Sequence, residues 1–166
     1  MSPNLKFRPE PLHPIFVPFR QDLLYLGAVG TKAERIARLI GHIPSGGLEP
    51  HYRGYFDCFN RGQFYEAHDV LEQLWLKERQ GANGAFYKGL IQLAGAFVHL
   101  QKDRPGPAGA LFKLAAANLR PYTGTHERLA VPAVLALIEH WLALLERADA
   151  QSNPFRSEPA PVLTLE

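Results

Sequence analysis

Phe59-Asn-Arg-Gly-Gln-Phe-Tyr-Glu-Ala-His-Asp-Val-Leu-Glu-Gln-Leu-Trp75 packs four ionisable side chains, Glu66, His68, Asp69 and Glu72, into seven positions beside a strong apolar pattern. With Glu66 at zero and 100° per residue, Phe64, Ala67, Leu71, Leu74 and Trp75 fall between about 80° and 180°, the stripe of an amphipathic helix. His68 falls near 200° and Glu72 near 240°, on the shoulder of that stripe, as i,i+4 neighbours. Asp69 lies further round, near 300°, an i,i+3 neighbour of Glu72. Glu66 is nearly opposite the stripe and needs a second element to bring anything near it.

Working outward, the same periodicity predicts helices on both sides. Asn60-Arg-Gly62 breaks the chain, with Gly62 as the left-handed residue after a helix that Pro50, Tyr52, Tyr55, Phe56 and Phe59 define over about 49–60. The motif helix then runs over 64–79, and so short a link makes the two antiparallel neighbours. Gly81-Ala-Asn-Gly84 is the next break. The helix over about 85–102 is apolar on most of its circumference, which makes it central. Its remaining strip holds Lys88, Gly89, Gln92, Gly95, Ala96 and His99, narrow enough to admit another helix closely. Pro107 starts a helix that ends before Pro121, and Pro132 opens a last one to about Ala148. Upstream, Thr31 with Glu34 has capping-box spacing, and a short helix spans about 31–42. Four prolines by residue 14 oppose a helix in residues 1–28, yet Ile15, Phe16, Val17 and Phe19 are too apolar for a free tail. No strand pattern and no internal repeat stand out.

These elements make an all-α, single-domain antiparallel helical bundle of about five main helices with an irregular N-terminal arm. The divisions are 1–47 for the arm with its short helix, 48–149 for the bundle carrying the motif, and 150–166 for an extended tail. Of 166 residues, 46% are apolar, enough for one core. Eighteen basic residues against 16 acidic leave a net charge of +2, with the basic ones scattered. Nucleic acid is therefore not the expected partner. A pI near 8.8 is all that speaks for a helical RNA- or ribosome-associated factor. No apolar run spans a membrane, the proline-rich N-terminus is a poor secretory signal, and Cys58 alone forms no internal disulfide. A cytoplasmic protein is expected.

Phe59-Asn60, Phe64, Glu66-Ala-His68-Asp69, Leu71-Glu72 and Trp75 resemble the signature of a bacterial, archaeal and plastid family catalogued as domain of unknown function 309. Lys88-Gly-Leu-Ile-Gln-Leu-Ala94, His99, Gly109-Ala-Leu111, Leu114 and Leu119 are similar to the rest of its pattern. The resemblance covers roughly 50–120. The family usually has Glu where this chain has Asp69. The resemblance implies an all-helical bundle and no established activity.

Two readings of the motif follow. In the first, a polar pocket between the 64–79 and 85–102 helices gathers Glu66, Asp69, Trp75, Lys88, Gln92 and His99 around His68 and Glu72. Glu66, His68, Glu72 and His99 would be metal ligands, and a divalent transition metal suits this mixed oxygen and nitrogen set better than Ca²⁺ or Mg²⁺. His68 or Glu72 would be the general base of a metal-assisted hydrolysis, with a small molecule as substrate. Zinc-protease, di-iron, nucleophile-elbow and phosphate-loop templates all fail on this sequence. In the second reading the chain is a non-catalytic interaction or scaffold module. His68 then bonds Glu72, Gln92 bonds Glu72 or a helix end, Glu66 complements the start of its helix, and His99 and Trp75 are core. Arm and tail would wrap the body or a second copy, so a protein partner or a homo-oligomer stays open.

Overall fold

The computed structural model describes residues 30–44, 46–147 and 153–166, so the arm expected over 1–28 lies outside the described residues. Local chemistry places each helix. The α1 helix (Lys32–Ile40) opens on a capping box: Thr31 Oγ1 accepts the Glu34 amide at 3.3 Å, and Glu34 accepts the Thr31 amide at 2.8 Å. The α2 helix (Pro50–Asn60) has Pro50 in its first turn and Glu49 as its cap, 3.0 Å from the Tyr52 amide. It stops because Gly62 turns left-handed at φ +72° and the Gln63 amide reaches back to the Cys58 carbonyl at 2.9 Å. There follow α3 (Phe64–Glu78), α4 (Gly84–Gln101), α5 (Pro105–Leu119) and α6 (Val131–Arg147). The α5 helix begins at Pro105, two residues before the expected Pro107, since Pro105 itself meets the needs of a first turn.

The α4 helix lies between α3 and α5, α2 packs on α3, α6 on α5, and α1 rests on α2 and α3. Nearly every apolar residue of α4 is buried, as its circumference required. At the centre is Phe97, whose ring meets those of Phe59, Phe64, Phe112 and Trp141 at 4.9–5.6 Å between centroids. The small-residue strip of α4 admits α5. A β-carbon added at Gly89 would lie 2.7 Å from Leu119 Cγ and 3.2 Å from the Ala115 carbonyl oxygen. Gly89→Ala is therefore expected to destabilise, because overpacking of about 1–3 kcal/mol outweighs up to about 1 kcal/mol of helix propensity. The denaturant midpoint should fall, and a rise would show that Leu119 can swing aside.

Two features depart from the sequence expectations. Residues 125–130 form a small antiparallel hairpin, β1 (Thr125–His126) and β2 (Leu129–Ala130), where no strand pattern was expected. Glu127 and Arg128 both take positive φ, 48° and 63°, the geometry that closes a two-residue loop in the right twist. Strands of two residues show no alternation, and the turn lacks the usual Asn-Gly. The tail, expected to be extended, contains a 3₁₀ turn over Pro154–Arg156 and is fastened along its length. The Asn153 side-chain amide donates to the Leu100 carbonyl at 2.6 Å, and Asn60 and Leu163 exchange two hydrogen bonds of 2.8 Å. Leu165 then bridges Leu129. No helix among the described residues is long and apolar enough to cross a membrane.

Candidate functional site

Along α3 one stripe runs Tyr65, Asp69, Glu72, Leu76, at spacings of four, three and four. The α1 helix lies against the first three. Lys32 Nζ sits 2.9 Å from Asp69 Oδ1 and 2.7 Å from Glu72 Oε2. Arg35 holds the other Asp69 oxygen at 2.6 Å, and its guanidinium lies 5.9 Å from the centre of the Tyr65 ring. Two cations three residues apart thus meet two acids three residues apart. Because Lys32 reaches the Glu72 end and Arg35 the Tyr65 end, the two helices run antiparallel. Ile36, one residue on, is buried beneath them.

The charges are unequally placed. Asp69 is 3% exposed, whereas the side chains of Lys32 and Arg35 are 43% and 37% exposed. Burial pushes the Asp69 carboxyl up, but the His68 imidazole and the Lys32 ammonium pull it further down, to below its ordinary value. Burial likewise pulls Lys32 down, and its hydrogen bonds to Glu72 and Asp69 outweigh that and leave it raised. The Asp69–Arg35 bond is short and charge-assisted, the stronger kind. The Lys32 pairs face water on one side and are worth about 0.2–1 kcal/mol each.

The sequence-based site is redistributed. Asp69, placed by its wheel angle away from the core, is the most deeply buried acid of the motif, because α1 covers it. Glu72 turns to α1 rather than to α4. Gln92 accepts a 2.8 Å hydrogen bond from Asn118 of α5 instead of meeting Glu72. His68 does face α4: its ring edge lies 4.0 Å from where a β-carbon at Gly95 would stand, and Leu111 of α5 closes the same spot at 3.2 Å. Its Nδ1 is 3.5 Å from Asp69 Oδ1, a charge contact too long for a good hydrogen bond. That buried nitrogen has no hydrogen-bond partner among the described residues. His99, one turn beyond Gly95, has its imidazole lowered by burial and then by Arg104 and Lys102. Lys88 is half-buried on the same strip, and Trp75 is half-buried against the core. Glu66 lies toward α2. Burial, then Asp57, then Glu66 raise the Cys58 thiol to about 11.

Among the described residues, one set of three side chains offers donor atoms mutually within 4.8 Å, namely His68, Asp69 and Glu72. Glu66 and His99 are not in it. The place where a cation would sit between the two carboxylates is taken by the Lys32 ammonium. Lys32 and Arg35 were missed from the sequence, although their i,i+3 spacing matches that of Asp69 and Glu72. A groove of about 400 Å³ between residues 42–44, α2 and residues 163–165, lined by Arg53, Phe56 and Arg61, lies apart from the motif.

No curated protein and no solved structure matches this chain. Residues 52–120, from the first turn of α2 to the end of α5, match the model of the family described as Domain of unknown function (DUF309).

Proposed function

We propose that this protein is a non-catalytic helical interaction module whose acidic motif works as a clasp for a basic helix. One observation carries this reading: the Lys32 ammonium bridges Asp69 and Glu72 at 2.9 and 2.7 Å while Arg35 caps the remaining Asp69 oxygen. The acids' charge is thereby balanced by side chains of the chain itself. Glu72, the candidate general base, has an oxygen occupied by an N–H donor. Buried acids matched and hydrogen-bonded in this way fix how two helices pack.

The proximity of His68, Asp69 and Glu72 supports the metal-dependent alternative, in which a divalent ion displaces Lys32. Melting the full chain, purified without an affinity tag, with Zn²⁺, Mn²⁺, Fe²⁺ or Ni²⁺ decides between them. The clasp predicts no upward shift of Tm, since an ion must first break the Lys32 pairs. A metal that raises Tm and binds in a one-to-one ratio overturns the clasp in favour of the metal site.

A further inference from the structure

We infer that the α3 stripe of Tyr65, Asp69, Glu72 and Leu76 is a docking face for a helix of a partner protein, and that α1 is its internal, displaceable occupant. The inference rests on the clasp proposed above and names its partner: a helix with two cations three residues apart and apolar side chains before and after them. Three observations point there. The stripe outruns its occupant. The α1 helix covers Tyr65 to Glu72 and stops at the Thr31 cap, and Leu76, the next residue of the stripe, is left 54% exposed. In the antiparallel arrangement, a helix one turn longer at its N-terminus would lay an apolar residue on Leu76. The occupant is also lightly held. The two cations that meet the acids are more than a third exposed, and of its residues Ile36 alone is fully buried, with Leu39 and Ile40 half-buried beside it. Finally, the matched segment 52–120 contains the whole acidic stripe and leaves α1 out.

The chemistry of recognition is the one already on display. A buried carboxylate takes a guanidinium on one oxygen and an ammonium on the other, with an aromatic ring under the guanidinium. An amphipathic helix set in this way reads as apolar and basic anchors one turn apart.

The probe is a synthetic peptide of residues 26–42 carrying Ala28→Leu, Gly30→Ala and Thr31→Ala, which removes the cap and sets a leucine one turn before Lys32. Its binding is measured by fluorescence anisotropy to the full chain and to the full-chain variant Lys32→Glu/Arg35→Glu, whose own α1 no longer fits. An internal occupant lowers apparent affinity by the fraction of time it leaves the face free, so the variant should bind at least about tenfold tighter than the wild type. Leu76→Ser in the variant, or Lys32→Glu/Arg35→Glu in the peptide, should remove the gain. Should the double variant fail to fold, Lys32→Gln/Arg35→Gln serves in its place. Equal binding by wild type and variant, or binding indifferent to the peptide's charges, overturns the inference. So does a wild-type chain that is dimeric through exchange of α1, since the occupant is then a second copy. Failure of the peptide without any metal-induced rise in Tm leaves the clasp standing as an internal fastening, whereas metal binding defeats the clasp itself.

Discussion

Phe97→Ala is expected to lower the unfolding free energy by about 3–5 kcal/mol, the range for removing a large aromatic from a packed core. The ring is fully buried on α4 and is the one place where the bundle's elements converge. It meets Phe59 of α2 edge-on at 5.6 Å, stacks on Phe64 of α3 at 4.9 Å, and meets Phe112 of α5 and Trp141 of α6 edge-on at 5.2 and 5.1 Å. Phe155 of the tail closes the cluster at 6.0 Å. Each such pair adds roughly 0.5–1.5 kcal/mol to simple burial, though pairs sharing one ring do not add independently. The neighbours come from four separate helices and the tail, so no single side-chain rotation refills the space, and the cost belongs in the upper part of the range. At roughly 2–4 °C per kcal/mol for a chain of this size, Tm should drop by about 6–20 °C. Urea unfolding followed by far-UV circular dichroism measures it. A loss below about 1 kcal/mol would show that the aromatic cluster collapses onto the gap and that Phe97 is not its centre.

The parts of this architecture that were legible in the sequence are those fixed within a few residues. Thr31 and Glu34 announce the start of α1, and Gly62 announces the end of α2, because a capping box and a left-handed glycine are local geometries. The burial of α4 was legible too, since an all-round apolar helix has nowhere else to go. The candidate site was legible only in composition. The motif residues were found, but their partners were not, because what decides their roles lies far along the chain. Asp69 is bonded to a residue 34 positions earlier, and a helical wheel drawn on α3 alone assigns it to solvent. Gln92 is claimed by Asn118, 26 positions later, on a helix that the wheel of α4 cannot place. A search for complementary spacing would have paired Lys32 and Arg35 with Asp69 and Glu72, since both sets repeat at i,i+3. The hairpin at 125–130 escaped for a different reason: a pattern of period two needs more than two residues to show.

Lys32→Ala/Arg35→Ala is expected to free α1 while leaving the rest of the bundle folded. If α1 stayed in place, Asp69 would be a buried carboxylate without a cation, an arrangement that costs about 3–5 kcal/mol. The chain has an escape. Letting the helix go returns Asp69 to water and gives up Ile36, the one fully buried anchor of α1, worth about 1.5–3 kcal/mol, together with the half-buried Leu39 and Ile40. The aromatic cluster around Phe97 draws on α2, α3, α5 and α6 and not on α1, so the double variant should lose α1 rather than unfold. In hydrogen exchange, the α1 amides should approach unprotected rates and those of α4 should keep their protection. The pH dependence follows from the same two groups. Asp69 is depressed in the folded state, so its contribution is present above the ordinary carboxylate value of 3.8 and is lost as pH falls through the folded value. Lys32 is raised, so its contribution is complete below 10.5 and is lost as pH rises through the folded value. In the wild type, protection of α1 should therefore hold across the neutral range and fall away in acid and in strong alkali, while the double variant shows neither edge. If α1 amides stay protected in the double variant, apolar packing alone holds the helix, and neither the clasp nor a partner that competes for it can be sustained.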